Sequence, residues 1–205
     1  MKQKSLEVDP LSARGRLLAA AEELFYEEGL NSVGIDRVIE RAGVAKASLY
    51  SIFGSKDELI RCYLETRQQA RQARINARLS LASGPEAKIL AVFELLGELA
   101  AEPNYRGCAF ARARNECKPD SRTRTACDDA RHWMRTLFSN LARDAGAQQP
   151  EQLAKQLVLL YDGAVVSAHM DGNPGAAQDA RTMALALLQT NVGRQSHTSA
   201  IKPMQ

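Results

Sequence analysis

The chain has 205 residues, 45% of them hydrophobic and 25% charged, with a net charge of +3. That length allows one or two domains, and the apolar content is enough for a buried core. Residues 1–58 carry 8 Lys/Arg against 10 Asp/Glu, a local charge of −2, which excludes a domain that holds polyanions by bulk positive charge.

The first predicted helix spans about 13–29, with Leu17, Ala21, Leu24 and Phe25 on its inner face. In the next, Ile35, Val38, Ile39 and Ala42 fall at i, i+3, i+4 and i+7, and Asp36, Arg37, Glu40 and Arg41 lie off that stripe. Gly43 follows where a helix end favours φ > 0. A third helix over 45–53 turns Leu49, Ile52 and Phe53 inward and stops at Gly54. Val33-Gly34 and Ala45 offer no capping side chain, so Asn31 or Ser32 is the candidate cap for the second helix. Ser55-Lys56-Asp57-Glu58 reads as a capping box that opens a long fourth helix running to about 81. On it Arg67, Arg71 and Arg74 share a face, which is expected to be solvated.

Gly84-Pro85 breaks the chain before a helix near 87–101. Short and long helices follow near 107–117 and 122–145. The last two, 151–170 and 175–192, are apolar over more than one face, as expected of helices buried on both sides. Alternating β-branched segments are absent. The expectation is an all-α fold of about nine helices. It comprises a DNA-binding domain at 1–58, an effector-binding and dimerisation domain at 59–192, and a disordered tail at 193–205.

Two helices joined by a short Gly-containing turn form a helix-turn-helix pattern, whose second helix enters the major groove. Ala47 permits close approach, Ser48 and Ser51 offer hydroxyls to bases or phosphates, and Tyr50 and Lys56 are long enough for phosphates. With Arg37 and Lys46 these make the candidate DNA contacts. The segment 38–59 resembles the DNA-binding segment of TetR-type transcriptional regulators. The matching residues are Ala42-Gly43-Val44, Lys46, Leu49-Tyr50, Phe53 and Ser55-Lys56 with Leu59, and upstream Ala20-Ala21, Leu24-Phe25 and Gly29. The resemblance implies a homodimer paired through helices 151–170 and 175–192. It also implies a palindromic double-stranded DNA operator and a small organic effector whose binding releases the DNA.

Candidate effector contacts are Phe93, Tyr105, Phe110, Asn115, Trp133, Tyr161 and Asp162. Asp162 lies in an apolar run and needs a partner such as Arg112 or Arg114. Cys62, Cys108, Cys117 and Cys127 form no CxxC pair, so free thiols are expected. Arginines near Cys117 and Cys127 leave a cysteine-based redox or electrophile sensor as the alternative function. No nucleophile motif, phosphate-cradling glycine loop or metal-ligand spacing points to an enzyme, a cofactor or a metal. No run of about 18 apolar residues or leader sequence is visible, which leads to an expected cytoplasmic location without membrane contact.

Overall fold

The computed structural model describes residues 9–192, so the tail expected at 193–205 lies outside the described residues. Among the described residues are nine helices and one isolated bridge, Ala147 to Val192. The helices are α1 (Ala13–Glu28), α2 (Ile35–Ala42), α3 (Lys46–Phe53), α4 (Lys56–Ser80), α5 (Pro85–Ala100), α6 (Ala109–Glu116), α7 (Arg122–Asp144), α8 (Pro150–Met170) and α9 (Ala176–Asn191).

The boundaries follow from which residues satisfy the first N–H groups of a helix. Ser12, Ser55 and Ser121 each accept a hydrogen bond from the backbone N–H three residues on. Pro85 and Pro150 open α5 and α8, where an N–H would have no intrahelical partner. Gly43 adopts φ 61° and ψ 43° after α2, a left-handed conformation costly for any residue with a Cβ.

Two capping expectations are corrected. Gly34 is the N-cap of α2, with no side-chain bond, and the Asn31 side chain is committed elsewhere: its amide N–H donates to the Glu116 carbonyl at 3.3 Å, while its backbone N–H donates to the Glu116 carboxylate at 2.8 Å. Only half of the capping box forms at Ser55. The Glu58 carboxylate turns away to Arg61 and to Arg122.

Buried side chains form two clusters. The first joins Leu17, Leu24, Phe25, Val33, Val38, Leu49, Phe53, Leu59 and Tyr63 from α1–α4 to Phe110 and Ala113 of α6 and Cys127 of α7. The second holds Ile75, Ile89, Phe93, Leu96, Phe138, Leu153, Leu157 and Leu188. Cys108 packs against both. Helix α4 crosses from Leu64 in the first to Ile75 in the second, about 16 Å at 1.5 Å per residue. Its start is fastened to α7, where the buried Thr123 hydroxyl donates to Asp57 at 2.7 Å and Arg122 pairs with Glu58 at 2.8 Å.

The arginine face of α4 is solvated as expected only at Arg74; Arg67 and Arg71 turn inward. Arg67 pairs with Glu22 and lies 3.9 Å from the Tyr26 ring centroid. Arg71 lies against Phe110, at 4.5 Å from its centroid, and 5.8 Å from that of Trp133. Arg74 pairs with Glu102 at 3.5 Å. Aromatic faces attract guanidinium groups, and that attraction draws Arg67 and Arg71 inward.

Candidate functional site

Helix α3 buries Leu49 and Phe53 and turns Lys46, Ala47, Tyr50 and Ser51 to solvent, with Ser48 half-buried. Tyr50 is 46% exposed, unusual for so large a side chain. The basic groups nearby are paired with carboxylates. Lys46 bonds Asp36 at 2.7 Å, which ties the start of α3 to α2. Arg37 is bidentate on Glu28, and Arg41 holds Glu23 at 2.7 Å. These hydrogen bonds raise the pKa of Arg37, Arg41 and Lys46 and keep all three charged.

Lys56 stands apart from that row. Its ammonium donates to the Leu30 carbonyl at 2.6 Å and lies 5.9 Å from the Phe25 ring centroid. Burial holds its pKa below the usual lysine value.

The second feature is a cavity of about 550 Å³ where the two clusters fail to meet. Its walls come from α1 (Leu18, Glu22, Tyr26), α4 (Tyr63, Arg67, Arg71, Arg74), α5 (Val92, Leu95, Leu96, Leu99), the α5–α6 loop (Tyr105, Cys108), α6 (Phe110) and α8 (Tyr161, Val165). Pockets of about 300–1,000 Å³ with mostly apolar walls and a few polar groups hold small organic ligands.

Its polar groups differ in how far they are already satisfied. The Tyr26 hydroxyl accepts from Arg106 N–H at 2.8 Å and donates to the Gly107 carbonyl at 3.3 Å. Thus α1 is pinned to the α5–α6 loop. Arg112 donates to the Tyr26 carbonyl at 2.7 Å. Burial raises the Glu22 pKa against the opposing pull of Arg67. It also raises the phenols of Tyr63 and Tyr105, and pushes Tyr161 up to about 12. Arg71 has no carboxylate partner among the described residues. Its Nη2 donates to the Ala130 carbonyl at 2.9 Å and to Gln68, and its buried Nε has no partner. Burial lowers its pKa.

Of the sequence candidates, Tyr105, Phe110 and Tyr161 line this cavity. Phe93 is fully buried behind Tyr161, 6.3 Å between ring centroids. Trp133 is reached through Arg71, and Asn115 is exposed on α6. Asp162 pairs with Arg131, whereas Arg112 is spent on Tyr26 and Arg114 on Asp128 at 2.7 Å. Sequence reasoning did not place Tyr26, Tyr63, Arg67 and Arg71 on the cavity. For the three on α4 a signal was available: residues 63, 67, 71 and 74 form one stripe of that helix, aromatic at its head and basic after it.

All four cysteines are free thiols. Cys127 is buried, and burial pushes its thiol up to about 12. Cys108 is half-buried on the cavity wall, where its sulfur accepts the Ala111 N–H at 3.4 Å. No group of His, Cys, Asp and Glu among the described residues is arranged to hold a metal. No described helix is long and apolar enough to cross a membrane.

A third surface lies along α8 and α9. Leu159 is 72% exposed and Met183 57%, and they flank a groove completed by Gln156, Leu160, Ala186, Leu187 and Thr190. Val166 and Met170 continue the exposed apolar strip on α8.

The family model for bacterial regulatory proteins of the tetR family matches residues 17–61, which include α2, its turn and α3. A solved TetR-family transcriptional regulator from Streptomyces coelicolor is 30% identical, with a TM-score of 0.83 over 88% of this chain and 96% of that one. The HTH-type transcriptional activator FasR of Mycolicibacterium smegmatis is 46% identical over 52 residues, 25% of this chain and only 24% of that protein. The HTH-type transcriptional repressor NemR of Escherichia coli is 26% identical over 165 residues, 76% of this chain and 83% of its own length. An all-helical fold carrying helix-turn-helix geometry at α2–α3, and similar over nearly the full length of a TetR-family structure, places the chain in the TetR family of DNA-binding transcriptional regulators.

Proposed function

We propose that the chain is a homodimeric repressor. Residues 1–58 read the operator and residues 59–192 hold a small organic effector and the partner subunit. The effector enters the cavity and releases the DNA. The observation that carries this reading is the position of the cavity. Helix α1, which packs on α2 and α3, forms one wall, and α4 leads from the end of α3 along another. A ligand there touches both the DNA-reading unit and the helical body. It can therefore favour one arrangement of the two over another.

Dimerisation is read from the apolar strip on α8 and α9, since a monomer seldom exposes so continuous a surface. At the DNA, Ala47, Ser48 and Ser51 face bases, and Tyr50, Lys46 and Arg37 face phosphates. Phosphates must compete with Asp36 and Glu28 for the last two. Few free cations per subunit make two subunits on one palindrome necessary.

Fluorescence anisotropy with DNA from just upstream of the coding sequence tests the reading. Two subunits should bind per inverted repeat, and affinity should fall steeply with salt. Tyr50→Ala should cost tenfold or more, and a loss under threefold would refute the docking of α3. A screen of small organic molecules should yield at least one whose saturable binding releases the DNA.

A second reading, a cysteine-based electrophile sensor, is favoured at Cys108, the thiol that lines the cavity. Its thiol would add across an electron-poor C=C bond, forming an S–C bond while its proton passes to the neighbouring carbon. N-ethylmaleimide should then release DNA from the native chain and from Cys117→Ser and Cys127→Ser, but not from Cys108→Ser. Release from all three variants would remove this second reading.

A further inference from the structure

We infer that the effector is an organic monoanion, an apolar body bearing one carboxylate, whose charge is received by Arg71. This rests on the cavity being the effector site, and names the chemistry that the site selects. The cavity contains three arginines, and two of them are already neutralised: Arg67 by Glu22 and Arg74 by Glu102. The nearby Asp162 is taken by Arg131. Arg71 alone of the three has only neutral acceptors, the Ala130 carbonyl and the Gln68 side chain, both on Nη2. Its Nε is buried without a partner among the described residues, and so is Nε2 of Gln68 beside it.

A half-buried guanidinium with a buried, unspent donor and no counter-ion is costly unless something completes it. Here Phe110 and Trp133 support its charge, but a ring face cannot accept the in-plane N–H groups. A carboxylate can, in the planar fork geometry that suits arginine. The rest of the wall fits the other end of such a molecule. Ile75, Val92, Leu95, Leu96, Leu99 and Val165 supply an apolar surface. A neutral ligand would leave the Arg71 charge uncompensated, and a cation would be repelled by it. A dianion would exceed the single charge available. Those three exclusions leave a monoanion.

Matched probes test this on the full chain: decanoate and 1-decanol, alike in apolar length and different in charge. Each is titrated by displacement of the fluorescent anion 1-anilinonaphthalene-8-sulfonate and independently by calorimetry. The native chain should bind decanoate at least tenfold more tightly than decanol. Arg71→Gln should bring the two affinities within threefold of each other, mainly by weakening decanoate. Arg71→Lys should retain part of the preference. Arg67→Gln and Arg74→Gln should change it less than threefold. Equal binding of the two probes by the native chain would overturn the proposal and leave the cavity reading intact. So would an undiminished preference in a folded Arg71→Gln. Because the native ratio needs no variant, misfolding of Arg71→Gln would leave the proposal open to refutation. If neither probe binds, the proposal falls too, and a neutral ligand that binds and releases DNA would still support the cavity reading. If decanoate binds in an Arg71-dependent way and DNA affinity is unchanged, the anion site stands and the release reading fails.

Discussion

Replacing Lys56 by methionine should lower the stability of the fold and leave DNA affinity nearly unchanged. The ammonium is turned inward, onto the Leu30 carbonyl at 2.6 Å and near the Phe25 ring. A hydrogen bond from a charged donor contributes about 1.5–3 kcal/mol net. At 5.9 Å from the ring centroid the cation–π contact adds no more than about 0.5 kcal/mol. Methionine keeps most of the stem's packing, so the loss should be about 2–3 kcal/mol, the hydrogen bond dominating. For a chain of this size each kcal/mol moves Tm by about 2–4 °C, giving a fall of about 4–12 °C. Thermal unfolding followed by circular dichroism at one fixed protein concentration measures it, with operator affinity by anisotropy alongside. A Tm within 1 °C of the native chain, together with a tenfold loss of DNA affinity, would refute the reasoning and make Lys56 a phosphate contact.

Leu159→Ser should weaken self-association. Full burial of a leucine contributes about 1.5–3 kcal/mol; Leu159 is 72% exposed and so has about that share of the gain still to make, and symmetry counts it twice, so about 2–4 kcal/mol and about a 30- to 1,000-fold rise in dimer Kd should appear in sedimentation velocity. Hydrogen bonding from Arg61, then from Arg122, holds the Glu58 carboxyl at about 2, far below its ordinary 4.5. The stabilisation is therefore complete above pH 4.5 and lost as pH falls toward 2. Glu58→Gln should flatten that acid limb in denaturant titrations, and an unaltered limb would assign the loss to other carboxylates. Tyr26→Phe breaks the link from α1 to the α5–α6 loop. It should leave ligand-free DNA affinity within threefold and shrink the ligand-induced change in operator Kd; an undiminished change would show that the link carries no coupling.

The helices and the α2–α3 turn were legible in the sequence because their signals are local. The apolar spacing of Ile35, Val38, Ile39 and Ala42, the glycine at 43 and the serine cap at 55 each act within one or two turns of helix. The cavity was not, because its wall is assembled from distant segments. Arg67, Arg71 and Arg74 share a face by period alone, but whether that face meets water or aromatic rings depends on Tyr26, Phe110 and Trp133 arriving from α1, α6 and α7. Partner choice failed for the same reason. Asp162 had several arginines in reach by sequence, and chain folding brought Arg131. Lys56 shows the reverse case, a residue of the motif itself whose direction was set by the Leu30 carbonyl 26 positions earlier.

The same arginine stripe accounts for why a cavity exists between the two clusters. Protein interiors close-pack, leaving few voids larger than a water molecule. Between Leu64 and Ile75, however, α4 presents long charged side chains, and these cannot interdigitate with the leucines of α5 as an apolar stripe would. Each must reach its own partner, and Arg71 reaches one that completes only part of its hydrogen-bonding capacity. The gap is thus the consequence of placing charge where two cores would otherwise fuse. Under the proposed release of DNA by an effector, it would also set the strength of the switch. A ligand alters DNA binding only by the difference in its affinity for the two arrangements of the cores. One charge-assisted contact, made well in one arrangement and poorly in the other, differs by about 1.5–3 kcal/mol. At 1.4 kcal/mol per tenfold, a ligand carboxylate bound in this way at Arg71 would correspond to about a 10- to 100-fold change in operator affinity.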